Sequence, residues 1–266
     1  MSYLYNIATF ILVTFFCTTL VIYLVQRRLI YIPDTTYLKP AQVGLANIKE
    51  ITLKTPDNQS LVSWYVKARK GQPTLLYFHG NAGNILNRKE RIALYQSHGF
   101  GVFILGYRGY GASSGKPTEQ HLITDGGIAY EWLIEQGVRA KEVILYGESL
   151  GTGVAVQLAS QKQVKAVILE TPYASLVEIG ARQYPFLPVN LLMKDRYESI
   201  KFITKINAPL LILHGQRDNL IPVQSAQKLF EAATNPKEMK LYQYGTHTDL
   251  YGHGAWQDIL SYLEKP

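Results

Sequence analysis

One serine of this chain stands where a nucleophile is expected. Ser149 lies in the segment Gly147-Glu-Ser-Leu-Gly151, between the apolar run Val143–Tyr146 and a helix-like stretch, 152–160. This order predicts a strand, a sharp turn and a helix, with the serine hydroxyl at the apex of the turn. Small residues on both sides suit a crowded turn, and the helix N-terminus favours developing negative charge. We therefore predict that Ser149 is a nucleophile.

The pattern Gly-x-Ser-x-Gly occurs a second time, and its context differs. Gly111-Ala-Ser-Ser-Gly115 also follows an apolar run, but Lys116-Pro117 comes next and no helix begins at Ser113. The context therefore favours Ser149 over Ser113. The alternative interpretation of Ser149 is an ordinary tight turn between a strand and a helix.

A serine hydroxyl needs a base to take its proton and a carboxylate to orient that base. Asp218 follows the apolar run 209–213, and His247 follows the last predicted strand, Met239–Tyr242. The order Ser, Asp, His is typical of one large class of serine hydrolases. We predict that His247 is the general base and that Asp218 orients it.

Other residues compete for these roles. His253, six residues beyond His247 in a glycine-rich stretch, is the alternative base, and Glu170 at the end of an earlier strand is the alternative acid. Asp249 is too near His247 in sequence to reach its far ring nitrogen easily. Two histidines that precede glycines at strand ends are expected to orient loops through hydrogen bonds: His79 and His214.

The tetrahedral intermediate of acyl transfer needs two hydrogen-bond donors aimed at its oxyanion. One is the backbone N–H of Leu150, directly after the nucleophile. The second should come from the loop that begins at His79. We predict the N–H of Asn81, with Ala82 as the alternative.

Strands and helices alternate through most of the chain. After a hairpin at 48–55 and 61–67, we predict strands at 73–78, 101–105, 143–146, 164–169, 209–213 and 239–242, and helices at 86–97, 118–136, 152–160, 223–233 and 255–263. The alternation predicts an α/β fold with a mostly parallel sheet covered by helices on both faces. Active sites in such sheets lie at the carboxyl ends of the strands, where Ser149, Asp218 and His247 fall.

The alternation breaks at residues 171–207. Three prolines interrupt this segment, and six apolar residues give it a hydrophobic surface: Tyr184, Phe186, Leu187, Leu191, Leu192 and Met193. We interpret the segment as a small cap insertion over the site. An ordinary packed connection is the alternative.

The N-terminus is predicted to be a membrane anchor. Residues 1–26 contain no Asp, Glu, Lys or Arg, and the apolar stretch 7–25 is long enough as a helix to span most of a ~30 Å hydrocarbon core. A cleaved signal peptide would have a positive segment before the apolar run and small residues at a cleavage site, and both are missing. We predict an anchor at 1–28, a linker at 29–46 and a catalytic domain at 47–266.

The membrane side follows from the basic residues. Arg27 and Arg28 lie on the C-terminal side of the span, so the positive-inside rule predicts a cytoplasmic catalytic domain.

Composition excludes several other classes of protein. The formal charge is +7, but the basic residues are spread without a run of five or more, which argues against nucleic-acid binding and fits an anionic membrane surface better. The single cysteine, Cys17, excludes an internal disulfide and argues against a Cys-based metal site. We expect no metal and no organic cofactor, and the sequence does not indicate an oligomeric state.

The motifs together resemble the α/β-hydrolase superfamily over residues 45–266. The similarity is greatest to small membrane-anchored serine hydrolases related to serine aminopeptidase-like and protein-depalmitoylating enzymes. The residues that carry it are His79–Gly83, Tyr107–Gly111, Gly147–Gly151, Leu213–Asp218 and Gly245–His247. The resemblance implies a sheet of about eight strands and the triad argued above. One departure is Gly106, where such relatives often carry Asp.

These features predict acyl transfer to water through an acyl-enzyme. An apolar cap on a membrane-tethered domain suggests a lipophilic acyl ester or thioester as the substrate. A peptidase with the same machinery is the first alternative, although the sequence shows neither a larger selectivity domain nor a charged site for a peptide terminus. A non-catalytic membrane-bound scaffold is the second, and the presence of candidates for all three triad roles argues against it.

Overall fold

The computed structural model describes residues 2–264. Its strands form a central eight-stranded sheet and a separate two-stranded sheet that pairs residues 32–33 with 82–83. Met1 of the predicted anchor and Lys265 and Pro266 of the predicted catalytic domain lie outside the described residues. The strands are β1 Ile32–Pro33, β2 Lys49–Lys54, β3 Ser60–Val66, β4 Thr74–Phe78, β5 Ala82–Gly83, β6 Gly101–Ile104, β7 Val143–Glu148, β8 Ala166–Glu170, β9 Leu210–Gly215 and β10 Lys237–Tyr242. The helices are α1 Ser2–Ile30, α2 Lys89–Ser97, α3 Glu119–Glu135, α4 Leu150–Ala159, α5 Leu176–Gln183, α6 Val189–Leu192, α7 Val223–Ala232 and α8 Ala255–Leu263.

The sheet runs in the order β10-β9-β8-β7-β4-β6-β3-β2. All neighbours from β10 to β6 pair in parallel, whereas β3 pairs antiparallel with both β6 and β2. The predicted hairpin, the mostly parallel sheet and the number of about eight strands are therefore confirmed.

Helices cover both faces of the sheet. Successive side chains of a strand point to opposite faces, so each central strand contributes to a core on both sides. On β7, Leu145 belongs to a core with side chains of α3, α4 and α7, whereas Ile144 and Tyr146 belong to a core with side chains of α2 and α8. Residues of β7 that face either core are fully buried. This double burial explains why the central strands read as continuous apolar runs rather than alternating ones.

The predicted elements differ from the observed ones mainly at their ends. Residues 85–88 form a 3₁₀ turn before α2, where one continuous helix over 86–97 was expected. The strand predicted at 164–169 is shifted to Ala166–Glu170, and the strand predicted at 239–242 begins two residues earlier. None of these three differences moves a candidate site residue, because each lies at the start of an element or just after its apolar run.

The segment predicted as a linker, 29–46, is structured against the catalytic domain. Helix α1 continues to Ile30, and β1 then pairs in parallel with β5. The side chain of Asn84 donates to the carbonyl oxygens of Asp34 and Thr36, at 3.0 and 2.8 Å. These hydrogen bonds join residues that are distant in sequence. The spacing of apolar residues within 29–46 therefore could not predict them.

Between β8 and β9, residues 171–207 form α5, α6 and two short 3₁₀ turns. The segment packs on the carboxyl end of the sheet, and Phe186 and Leu191 on its outer surface are 61% and 85% exposed. Both side chains are large, apolar and in contact with solvent.

The departure at Gly106 has a steric cause. A Cβ at this position would lie 2.0 Å from the carbonyl oxygen of Val62, so the backbone leaves no room for a side chain. The neighbouring Arg108 is buried and binds Asp125 and Asp57. Loop support at this point therefore comes from an arginine with two carboxylates.

Candidate active site

Ser149 sits at a sharp turn between β7 and α4, as its motif predicted. Its backbone angles are φ 49° and ψ −115°, a region that a residue with a side chain rarely adopts. The turn is crowded from both sides. A Cβ on Gly147 would lie 2.5 Å from Thr152 Cα, and one on Gly151 would lie 2.1 Å from the carbonyl oxygen of Phe78. Both glycines are therefore required by close approach of backbone to backbone.

The structure brings Ser149, His247 and Asp218 into one chain of hydrogen bonds. The Nε2 atom of His247 lies 2.9 Å from the Oγ atom of Ser149. The Nδ1 atom of His247 lies 2.7 Å from the Oδ2 atom of Asp218. With the proton on Nδ1, the ring donates to Asp218 and its Nε2 is free to accept the serine proton.

The Asp218 carboxylate is held in place by the backbone. Its Oδ1 accepts from the N–H groups of Leu220 and Ile221, both at 2.9 Å. Burial alone would raise the pKa of Asp218, but the bonds from His247 and the Ile221 N–H lower that pKa below its ordinary value. Asp218 is therefore an anion at neutral pH and can stabilise a positive charge on His247.

The rival residues lie elsewhere or have other partners. His253 approaches Asp249 at 3.7 Å, and Asp249 accepts from the N–H of Thr246. The Glu170 carboxylate binds Arg91, with oxygen–nitrogen distances of 2.5 and 2.9 Å. Ser113 is buried, with its Oγ accepting from the N–H of Val62 and donating to the carbonyl oxygen of Gly106.

The two histidines at strand ends are tied to the backbone, as expected. Nδ1 of His79 donates to the carbonyl oxygen of Gly80 at 2.7 Å, and Nε2 of His214 donates to that of Ile221 at 3.0 Å. Burial, with the charge of Arg88, lowers the pKa of His79 to about 3, and burial lowers the pKa of His214 as well. Both rings are therefore neutral structural groups.

Asn81 and Leu150, the predicted oxyanion donors, line the same cavity as Ser149. Leu150 is the first residue of α4, so its N–H belongs to the unpaired end of that helix. The carbonyl oxygen of Asn81 accepts from the Ile32 N–H at 3.0 Å and from the Tyr110 hydroxyl at 2.6 Å, and its side chain donates to Ile30. These bonds fix the Asn81–Ala82 peptide and the Asn81 side chain. The Gly80 carbonyl oxygen, in the peptide that carries the Asn81 N–H, accepts from Nδ1 of His79.

Two partly buried ion pairs lie under the turn. Glu148, next to the nucleophile, binds Arg88 at 2.6 Å and accepts from Tyr77 at 2.7 Å. Beside it, Glu170 binds Arg91, and its carbonyl oxygen accepts from the Ser149 N–H at 2.9 Å. Burial would raise the pKa of Glu148, but the charges of Arg88 and Arg91 lower it. The turn is thus supported by two carboxylates, each of which is paired with an arginine.

A cavity of about 430 Å³ opens above Ser149, within the ~300–1,000 Å³ range of ligand sites. Its walls are mostly apolar, and they come from the turn, from the 171–207 segment and from α1. Contributors from the 171–207 segment and the loop after β9 are Tyr173, Leu176, Ile179, Gly180, Gln183, Tyr184, Leu187, Val189, Leu192, Met193, Leu220 and Ile221. None of the lining residues is charged.

The part of the site that sequence reasoning missed is the end of α1. Ile22, Tyr23, Gln26, Leu29 and Ile30 line the cavity, followed by Ile32. A signal was present in the sequence, because Gln26 is a polar residue at the end of a long apolar run, and such residues commonly face protein rather than lipid. Among the described residues, no group of three or more His, Cys, Asp and Glu is arranged to hold a metal.

Comparisons with known proteins point to one family. A family model described as "alpha/beta hydrolase fold" matches residues 73–198. The uncharacterized protein Rv2307c of Mycobacterium tuberculosis is 37% identical over 84% of this chain and 81% of its own length. The alpha/beta hydrolase domain-containing protein WAV2 of Arabidopsis thaliana is 30% identical over 90% of this chain and 88% of its own.

Among solved structures, the Pyrococcus furiosus esterase Pf2001 is similar to this chain with a TM-score of 0.71. The match covers 88% of this chain and 97% of that one at 20% identity, so it bears on the fold alone.

The crowding at the turn leads to a stability prediction. Gly151→Ala should abolish the native fold or shift its unfolding to a much lower temperature, because the added Cβ meets the Phe78 carbonyl group. Gly127→Ala is the matched control, since a Cβ at Gly127 in α3 meets nothing within 4 Å and alanine favours a helix by about 1 kcal/mol. Thermal unfolding followed by circular dichroism measures both, and equal stability of the two variants would contradict the prediction.

Proposed function

The chain belongs to the α/β-hydrolase family, and on this basis we propose that it is a membrane-anchored serine hydrolase that cleaves lipophilic acyl esters or thioesters. The observation that carries the proposal is the hydrogen-bond chain Ser149–His247–Asp218, which opens into an uncharged, mostly apolar cavity. Each distance in that chain is short enough for proton transfer without rearrangement.

The proposed reaction begins with attack of the Ser149 Oγ atom on the acyl carbonyl carbon. His247 Nε2 takes the hydroxyl proton as the bond forms, and the Asp218 carboxylate stabilises the resulting imidazolium. The carbonyl oxygen becomes an oxyanion, which the backbone N–H groups of Leu150 and Asn81 stabilise. A single donor of this kind contributes about 2.7–4 kcal/mol in a related arrangement.

Collapse of this intermediate expels the alcohol or thiol, which receives the proton from His247. An ester between the acyl group and Ser149 remains. Water then attacks that ester while His247 Nε2 removes its proton, a second oxyanion forms at the same donors, and collapse releases the carboxylic acid and restores the serine hydroxyl. The N-terminus of α4 points its partial positive charge at the oxyanion in both steps.

The apolar walls support an acyl chain as the part of the substrate that binds in the cavity. Leu176, Ile179 and Leu187 contribute from the 171–207 segment, which we propose acts as a cap. Burial of each methylene contributes about 0.8 kcal/mol, so chain length should have a large effect on binding. A charged peptide terminus would find no opposite charge among the lining residues, which favours an ester over a peptide.

The N-terminal helix supports membrane attachment. Over an 18-residue window its mean hydropathy is 2.3, and no residue of that window is buried, unlike the core helix of a water-soluble protein. We propose that α1 is an uncleaved anchor, since Gln26 and Arg27 at its end contact the catalytic domain and cleavage would remove those contacts. The Arg27–Arg28 pair favours a cytoplasmic catalytic domain.

The role of Ser149 can be tested with a fluorophosphonate probe, which reacts with activated serines. The wild-type protein should be labelled and Ser149→Ala should not be, while Ser113→Ala, at the other Gly-x-Ser-x-Gly match, should keep its label. His247→Ala should lower ester turnover by about 10⁴-fold or more, and His253→Ala should leave it within a few fold. Labelling that survives in Ser149→Ala would contradict the assignment.

The substrate class can be tested by turnover of p-nitrophenyl esters of increasing chain length beside aminoacyl p-nitroanilides. We expect kcat/KM to rise with acyl length, because each added methylene is buried against the cavity wall, and we expect the anilides to react at least a hundredfold more slowly. Faster cleavage of the anilides would favour the peptidase instead.

Membrane side can be tested in cells with a reporter fused after residue 266. A reporter active only in the cytoplasm should give signal, and one active only outside should not, because the basic pair follows the span. A variant with Arg27 retained and Arg28→Asn serves as a control for the strength of the charge signal. Activity of the external reporter alone would contradict the cytoplasmic assignment.

A further inference from the structure

We propose that α1 forms one wall of the acyl-binding cavity as well as anchoring the protein, so that a long acyl chain enters the site from the bilayer along this helix. The substrate would then be a membrane-resident ester or thioester whose acyl chain stays at the membrane until cleavage. This inference rests on the proposed function and specifies the substrate class of that site.

The first observation is the face that α1 presents to the cavity. Ile22, Gln26 and Leu29 line it together with Tyr23 and Ile30. The separations of three and four residues place these side chains on one side of a helix. The residues Val21 and Leu24 point elsewhere and are 56% and 67% exposed. One face of α1 therefore belongs to the cavity, and the rest is available to lipid.

The second observation is that the end of α1 is held rigidly against the 171–207 segment. Arg27 makes a bidentate ion pair with Asp195, at 2.8 and 3.0 Å, and Asp195 is buried. The Gln26 side chain accepts from the Lys194 N–H at 2.7 Å and donates to the carbonyl oxygen of Leu192 at 3.2 Å. An anchor that only tethered the domain would not need this docking.

The third observation is a connection from α1 to the oxyanion loop. The Asn81 side chain donates to the carbonyl oxygen of Ile30, the last residue of α1, at 3.0 Å. The Ile32 N–H donates to the carbonyl oxygen of Asn81 at 3.0 Å. The position of the loop is thus set in part by the end of the helix, and the acyl chain and the reacting carbonyl group are aligned by the same element.

The depth of the α1 wall in the membrane indicates that the substrate comes from the bilayer. Ile22 lies within the uncharged stretch and precedes Arg27 by five residues, or about 8 Å along the helix axis. A cavity wall at Ile22 therefore reaches the hydrocarbon edge while Arg27 lies at the headgroups. Phe186 and Leu191, strongly exposed on the 171–207 segment next to the same cavity, suit partial insertion beside α1.

The test uses the full-length chain in lipid nanodiscs, with hexadecanoyl and butanoyl p-nitrophenyl esters as substrates. Ile22→Trp places a large ring into the α1 wall, whereas Leu24→Trp adds the same ring to a lipid-facing position of the same helix. We expect Ile22→Trp to lower the ratio of kcat/KM for the long over the short ester by about tenfold or more, and Leu24→Trp to leave that ratio within twofold of wild type.

A second variant guards against misfolding of Ile22→Trp. Ile22→Ala enlarges the cavity without overpacking it, so the preferred acyl length should increase rather than decrease. If both esters are hydrolysed but neither Ile22 variant changes the ratio relative to Leu24→Trp, the role of α1 is overturned and the proposed hydrolase stands. If the wild-type protein hydrolyses neither ester and takes no fluorophosphonate label, the proposed function itself is overturned, and this inference falls with it.

Discussion

The close approach of α4 to the end of β4 is the contact on which the candidate site depends. Gly151 lies so near the Phe78 carbonyl that a single additional carbon would be 2.1 Å from its oxygen. This proximity forces the turn at Ser149 into a positive φ and raises the serine hydroxyl above the carboxyl edge of the sheet. The strain is held by fully buried strands on both sides of β7, which leave the turn no other conformation.

Polar chemistry beneath the turn reinforces the same geometry. Glu148 and Glu170 lie side by side at the ends of β7 and β8, and each would repel the other if unpaired. Arg88, just before α2, pairs with Glu148, and Arg91, in the first turn of α2, pairs with Glu170 and also lies 3.8 Å from Glu148. Helix α2 and the residue before it thereby fix Glu148, which precedes Ser149, and Glu170, whose carbonyl oxygen accepts from the Ser149 N–H.

The site also depends on parts of the chain that are distant in sequence. Asp218 and His247 follow β9 and β10, two strands at one edge of the sheet, and meet Ser149 because parallel strands end on the same side. The end of α1 and the 171–207 segment close the cavity from above through Arg27 and Asp195. Helix α1, the 171–207 segment and the loop after β4 are in this way one connected structure around Ser149.

The sequence by itself determined the main helices and strands and which residues meet at the candidate site. Ser149, Asp218 and His247 each follow a short apolar run, which is a local pattern. Because parallel strands end at the same edge of a sheet, that pattern alone predicts that the three residues lie close together. The docking of α1 and the pairing of residues 32–33 with 82–83 were decided only by tertiary structure. Those contacts join residues about fifty or more positions apart through individual hydrogen bonds and ion pairs, and they produce no periodic pattern in the sequence.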